Sequence, residues 1–118
     1  LSGERHELGG LMGAFLAASR GYRSIYLGPD LPAGDICTFC SRRPVDALAL
    51  SLVTQPDVND ARGQLDELRK GVPATTEIWV AGQAANLLAR DHLPEGVVAI
   101  PDLSGFLDRL ARLKARNA

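Results

Sequence analysis

The chain alternates between short apolar runs and longer stretches in which apolar residues recur at three- and four-residue steps. The short runs are bounded by glycine, proline or aspartate and are typical of strands, whereas the wider spacing is typical of amphipathic helices. Strands are predicted over residues 22–27, 45–53, 76–81 and 96–100. Helices are predicted over residues 6–20, 33–42, 58–70, 84–90 and 103–116.

This order of elements predicts an α/β fold. The run over residues 45–53 is nearly all apolar, as expected for a strand of a parallel sheet that is covered on both faces. Strands that alternate with helices indicate a flavodoxin-like (Rossmann-like) doubly wound parallel sheet with three layers, α/β/α. Such a sheet has a central strand ahead of the first predicted helix. We therefore expect that strand upstream of residue 1, in a natural protein that extends N-terminally.

Composition narrows the function classes. The 118 residues are enough for a single domain, residues 1–118, and 46% of them are hydrophobic, enough for a core. A formal net charge of −1 argues against binding of nucleic acid or an anionic membrane by bulk electrostatics. No apolar run approaches the ~20 residues of a membrane span, and no secretory signal pattern opens the chain. We expect a cytoplasmic protein.

Two cysteines, Cys37 and Cys40, form a C-x-x-C pair inside the predicted helix 33–42. A thioredoxin-like redox pair belongs at a helix start after a strand, and a structural zinc site needs two further ligands. The sequence shows neither arrangement. Cysteine also packs well as a small apolar residue on a buried helix face. The pattern therefore favours packing over redox or metal chemistry.

The stretch from Glu4 to Gly9 carries the strongest chemical signal, E-x-H-x-x-G. A neutral imidazole binds transition metals well, and a carboxylate on its other nitrogen fixes the tautomer and raises its basicity. His6 with Glu4 has that composition. The same stretch is also typical of an acidic helix start, in which Glu4 and Glu7 complement the helix dipole. On these residues alone both interpretations stay open.

Three motifs in order resemble those of cobalamin-binding domains. E-x-H-x-x-G resembles the family's D-x-H-x-x-G with Glu for Asp, and residues 51–53 (Ser-Leu-Val) and 81–83 (Ala-Gly-Gln) resemble its S-x-L and G-G. Residues 26–30 (Tyr-Leu-Gly-Pro-Asp) and 79–84 (Trp-Val-Ala-Gly-Gln-Ala) resemble one branch, the light-responsive MerR-type bacterial regulators that sense adenosylcobalamin. The resemblance covers nearly the whole chain.

The resemblance implies a cobalamin site with His6 as the lower axial ligand of the cobalt and Glu4 orienting its imidazole. The other cofactor-binding residues that it implies are Arg5, Leu8, Gly9, Ser51, Val53, Thr54, Gly82 and Gln83. The displaced nucleotide tail would pass the glycines and meet the hydroxyls of Ser51 and Thr54. Ala81 stands where the family often has glycine, and Val53 where it has leucine. Without the resemblance, a Ser51 hydroxyl bonded to its own backbone is the simpler interpretation.

The resemblance further implies a sensory domain of a transcriptional regulator. It favours adenosylcobalamin, with methylcobalamin as the other form, and implies an upstream helical bundle and a DNA-binding module, with homo-oligomers possible. The domain itself would not contact nucleic acid. The alternatives are the corrinoid carrier of a methyltransferase or mutase and, more weakly, a haem domain using His6 or His92. Without a nucleophile–base set or a phosphate-binding glycine loop, we expect no enzyme activity.

Overall fold

A computed structural model describes residues 21–22, 32–43, 45–51, 58–82 and 93–116. Within these ranges the helices are α1 (Ala33–Arg42), α2 (Val58–Gly71) and α3 (Leu103–Arg116), and the strands are β1 (Ala47–Ser51), β2 (Glu77–Ala81) and β3 (Val97–Ile100). The strands form a parallel sheet in the order β1-β2-β3. A parallel sheet with flanking helices is the small α/β fold that the sequence predicts.

The predicted elements that fall on described residues are confirmed. The bounds of α1 and α3 are those predicted, whereas β1 begins two residues later than predicted. The carbonyl of Val45 accepts a hydrogen bond from Thr76 Oγ1 at 2.7 Å. Val45 therefore holds the loop before β2 and is not paired within the sheet. The predicted helices 6–20 and 84–90, and the strand 22–27 beyond its first residue, lie outside the described residues.

One face of the sheet is covered by α1 and α2. Side chains alternate across a strand, so Ile78 and Val80 of β2 point to this face. Both are fully buried, and so are Leu65 and Leu68 of α2. The larger buried members of this core are Ile36, Cys40, Leu50, Leu65, Leu68, Val72, Ile78, Val80 and Val97. Burying a large aliphatic side chain stabilises the fold by about 1.5–3 kcal/mol, so this core holds both helices to the sheet.

The opposite face is covered by α3. Trp79 of β2 is 2% exposed and packs there with Ile100, Leu110 and Leu113. Its ring meets that of Phe106 edge-to-face, with centroids 6.0 Å apart and an interplanar angle of 87°. The buried indole N–H donates to Oε1 of Glu77 at 3.1 Å, so this large side chain is buried without an unsatisfied donor. The described part of the molecule therefore has the predicted three layers.

Arg69, near the end of α2, bonds the loops that precede β2 and β3 at the amino ends of these strands. Its Nη1 donates to the carbonyls of Thr76 at 3.0 Å and Gly96 at 3.3 Å. Its Nη2 donates to the carbonyls of Val72 at 3.4 Å and Pro73 at 2.7 Å. The planar guanidinium offers donors in a rigid fork, so one side chain fixes the loops before β2 and β3.

Two glycines of α2 give a matched test of the α1–α2 contact. A Cβ at Gly71 would lie 2.5 Å from Sγ of Cys37, whereas a Cβ at Gly63 would meet nothing within 4 Å. We expect Gly71→Ala to lower the free energy of unfolding by about 1–3 kcal/mol, the usual cost of overpacking. Gly63→Ala should raise it by up to about 1 kcal/mol through helix propensity. Denaturant unfolding followed by Trp79 fluorescence measures both.

The double variant Gly71→Ala/Cys37→Ala separates crowding from a backbone effect. Removing the sulfur makes room for the new methyl group, so the double variant should be more stable than the sum of the two single changes predicts. Equal stabilisation by Gly71→Ala and Gly63→Ala would show that α1 and α2 do not approach as closely as described.

Candidate functional site

The carboxyl ends of the three strands form one edge of the sheet. Ser51, the last residue of β1, is in register with Ala81, the last residue of β2. Ala81 is in turn in register with Ile100, which ends β3. Ligands of open α/β sheets bind in the crevice beyond this edge. Because Gly82 directly follows Ala81, the fold brings the predicted site residues Ser51 and Gly82 together there.

The side chain of Ser51 lies on the α3 side of the sheet. Partners in a parallel register point to the same face, and Ala81 packs against the core beneath α3. Ser51 is half-buried, so its hydroxyl is within reach of a ligand at the edge. A serine hydroxyl both donates and accepts hydrogen bonds. Ser51 can therefore pair with a donor or with an acceptor group of a polar ligand.

Gly82 lets the main chain turn as it leaves β2. Its φ of 108° lies in a region that residues with a Cβ rarely adopt, so glycine suits this position for backbone reasons. Glycine also exposes its peptide groups to close approach by a ligand. These two properties place accessible main chain beside the residue in register with Ser51.

The methyl group of Ala81 lies beside Ser51 at the carboxyl edge. It lies on the face that carries Ser51 and Trp79, and it is partly buried against the α3 core. On this face β1 carries only small side chains, those of Ala47, Ala49 and Ser51. Of the described residues at this edge, Ser51 supplies a hydroxyl, Ala81 a methyl group and Gly82 exposed main chain.

Two of the predicted site residues that the structure describes, Ser51 and Gly82, suit the tail of a cobalamin. A tail that enters a protein needs small residues beside it and partners for its polar atoms. Gly82 meets the first need and Ser51 the second, whereas Ala81 takes up space. Among the described residues no group of three or more His, Cys, Asp or Glu is arranged to hold a metal ion.

The remaining predicted site residues lie outside the described residues, and their roles stay predictions. They are Glu4, Arg5, His6, Leu8, Gly9, Val53, Thr54 and Gln83.

Sequence reasoning missed the role of Tyr22, which the pattern identifies only as a strand start. Its ring packs on the α3 side of the sheet with Ala47, and its hydroxyl donates to the carbonyl of Leu110 in α3. An aromatic residue with a polar tip directly after a glycine of positive φ is the local signal. The partner, 88 residues further along the chain, leaves no trace in the sequence.

Cys37 and Cys40 take the predicted packing positions. Cys40 is 3% exposed in the core, and Cys37 packs against that core with its Sγ 3.8 Å from the carbonyl of Glu67. Burial raises the pKa of both thiols above the ordinary value of 9.0, and the charge of Glu67 raises that of Cys37 further. A raised pKa leaves little thiolate at neutral pH, so both groups are poor nucleophiles.

Comparison with known proteins adds no relative. Neither the protein-family models nor the curated protein sequences contain a match to this chain. In the described ranges, no helix has the length and apolar character needed to cross a membrane.

The raised pKa values of Cys37 and Cys40 predict that both thiols react slowly with disulfides. At neutral pH both thiols should react with a disulfide reagent more slowly than free cysteine does, and Cys40 more slowly than Cys37. In Cys40→Ala only Cys37 remains, so this variant identifies the faster phase of the reaction. Unfolding by denaturant should make both thiols react fast. Because burial raises the pKa of both thiols in the folded state, the folded protein is stabilised by their protonated forms below pH 9.0, and this stabilisation is lost as pH rises above 9.0 toward the folded-state pKa. A thiol of the folded protein that reacts as fast as free cysteine at neutral pH would contradict this prediction.

Proposed function

We propose that this chain binds cobalamin, with the imidazole of His6 on the cobalt and the nucleotide tail at the Ser51–Gly82 edge. The observation that carries the proposal is the meeting of Ser51 with Gly82. These residues belong to two separate motifs of the resemblance, and they are neighbours at the carboxyl edge. When bound, the cofactor supplies a cobalt whose lower axial position needs a ligand. His6 supplies a neutral nitrogen for it.

The path of the chain supports a position of His6 near that edge. Gly21 has a φ of 89°, typical of the residue that ends a helix, and Tyr22 packs beside Ala47 at the amino end of β1. A helix over residues 6–20 would be about 22 Å long. From Ala47 to Ser51 the strand advances about 13 Å. If the predicted helix 6–20 runs antiparallel to the strands, its length would bring its start to the level of their carboxyl ends.

Loss of the imidazole should change the spectrum of the bound cofactor. We expect purified protein to bind cobalamin and His6→Ala to remove the absorption bands of the histidine-ligated form and weaken binding at least tenfold. His92→Ala is the matched control, since the chain has two histidines, and it should change neither. Because ligation requires the neutral imidazole, acidification should release His6 but not the tail.

The binding of cobalamin by the two histidine variants distinguishes which histidine ligates the cobalt. Cobalamin bound by His6→Ala with unchanged affinity and spectrum would exclude His6 as the ligand. A spectral change in His92→Ala instead would transfer the role to the other histidine.

The methyl group of Ala81 gives a test of the tail position. If the tail lies beside Ser51 and Gly82, Ala81→Gly should leave it more room and strengthen cobalamin binding several-fold. Ala49→Gly, on the same face of the neighbouring strand, is the control and should leave affinity within about twofold, since independent sites do not couple. Calorimetric titration measures both. Weaker binding by Ala81→Gly, with stability retained, would contradict the tail position.

We further propose that the domain serves as a sensor in a bacterial transcriptional regulator, with adenosylcobalamin as its ligand and a cytoplasmic location. The support is the branch-specific resemblance of residues 26–30 and 79–84. A sensor converts occupancy into a difference between two structural states. A corrinoid carrier must instead present the cobalt to a partner enzyme.

Size-exclusion chromatography of the full-length protein separates these functions. Adenosylcobalamin in the dark should change the oligomeric state or the affinity for DNA, and photolysis should reverse that change. If neither responds while a methyltransferase turns over with the loaded domain, the carrier function replaces the sensor.

A further inference from the structure

We draw no further inference here: the strongest candidate, the open groove at the amino ends of β2 and β3 lined by Asp66, Arg69, Lys70, Pro94, Glu95 and Gly96, carries no binding site because the Arg69 guanidinium already donates to four main-chain carbonyls and the charged side chains beside it are exposed and of mixed sign.

Discussion

The burial of β2 on both faces is the constraint on which the rest of the described structure depends. Ile78 and Val80 are fully buried under α2 and its neighbour α1, and Trp79 is buried under α3. A strand that is apolar on both faces needs helices on both sides, and parallel neighbours joined by helical crossovers provide them. Because all three strands then run in one direction, their carboxyl ends meet at one edge.

The two edges of the sheet have different chemistry, and this difference gives the candidate site its character. At the amino edge, Arg69 and Thr76 bind main-chain carbonyls and fix the loops. At the carboxyl edge β1 and β2 end in the small residues Ser51 and Ala81, and Gly82 turns the chain with a positive φ. An edge fixed by hydrogen bonds at the amino ends is a suitable scaffold for a ligand, because Ser51 and Ala81 are held by strands.

Much of the fold could be predicted because its signals are local. The apolar stripe of α3 predicts both of its bounds, and the apolar run before Ser51 predicts β1. The run also predicts burial on both faces, which is wrong for β1, since Leu50 is buried but Ala49 on the other face is exposed. Contacts between distant residues have no such signal. Neither the four carbonyls bound by Arg69 nor the hydrogen bond from Tyr22 to Leu110 follows from spacing. The site shows the same division: motifs identify Ser51 and Gly82, but only the register of β1 and β2 makes them neighbours.

The most direct test of the central claim is electron paramagnetic resonance of the cobalt(II) form of cobalamin bound to protein labelled with ¹⁵N in histidine only. The unpaired electron couples to the nucleus of the axial nitrogen, so the isotope reports where that nitrogen comes from. If His6 ligates the cobalt, labelling should convert the ¹⁴N triplet on each line into a doublet, and His6→Ala should abolish the doublet while His92→Ala retains it. A triplet unaffected by labelling would mean that the cofactor keeps its own base and would contradict the account.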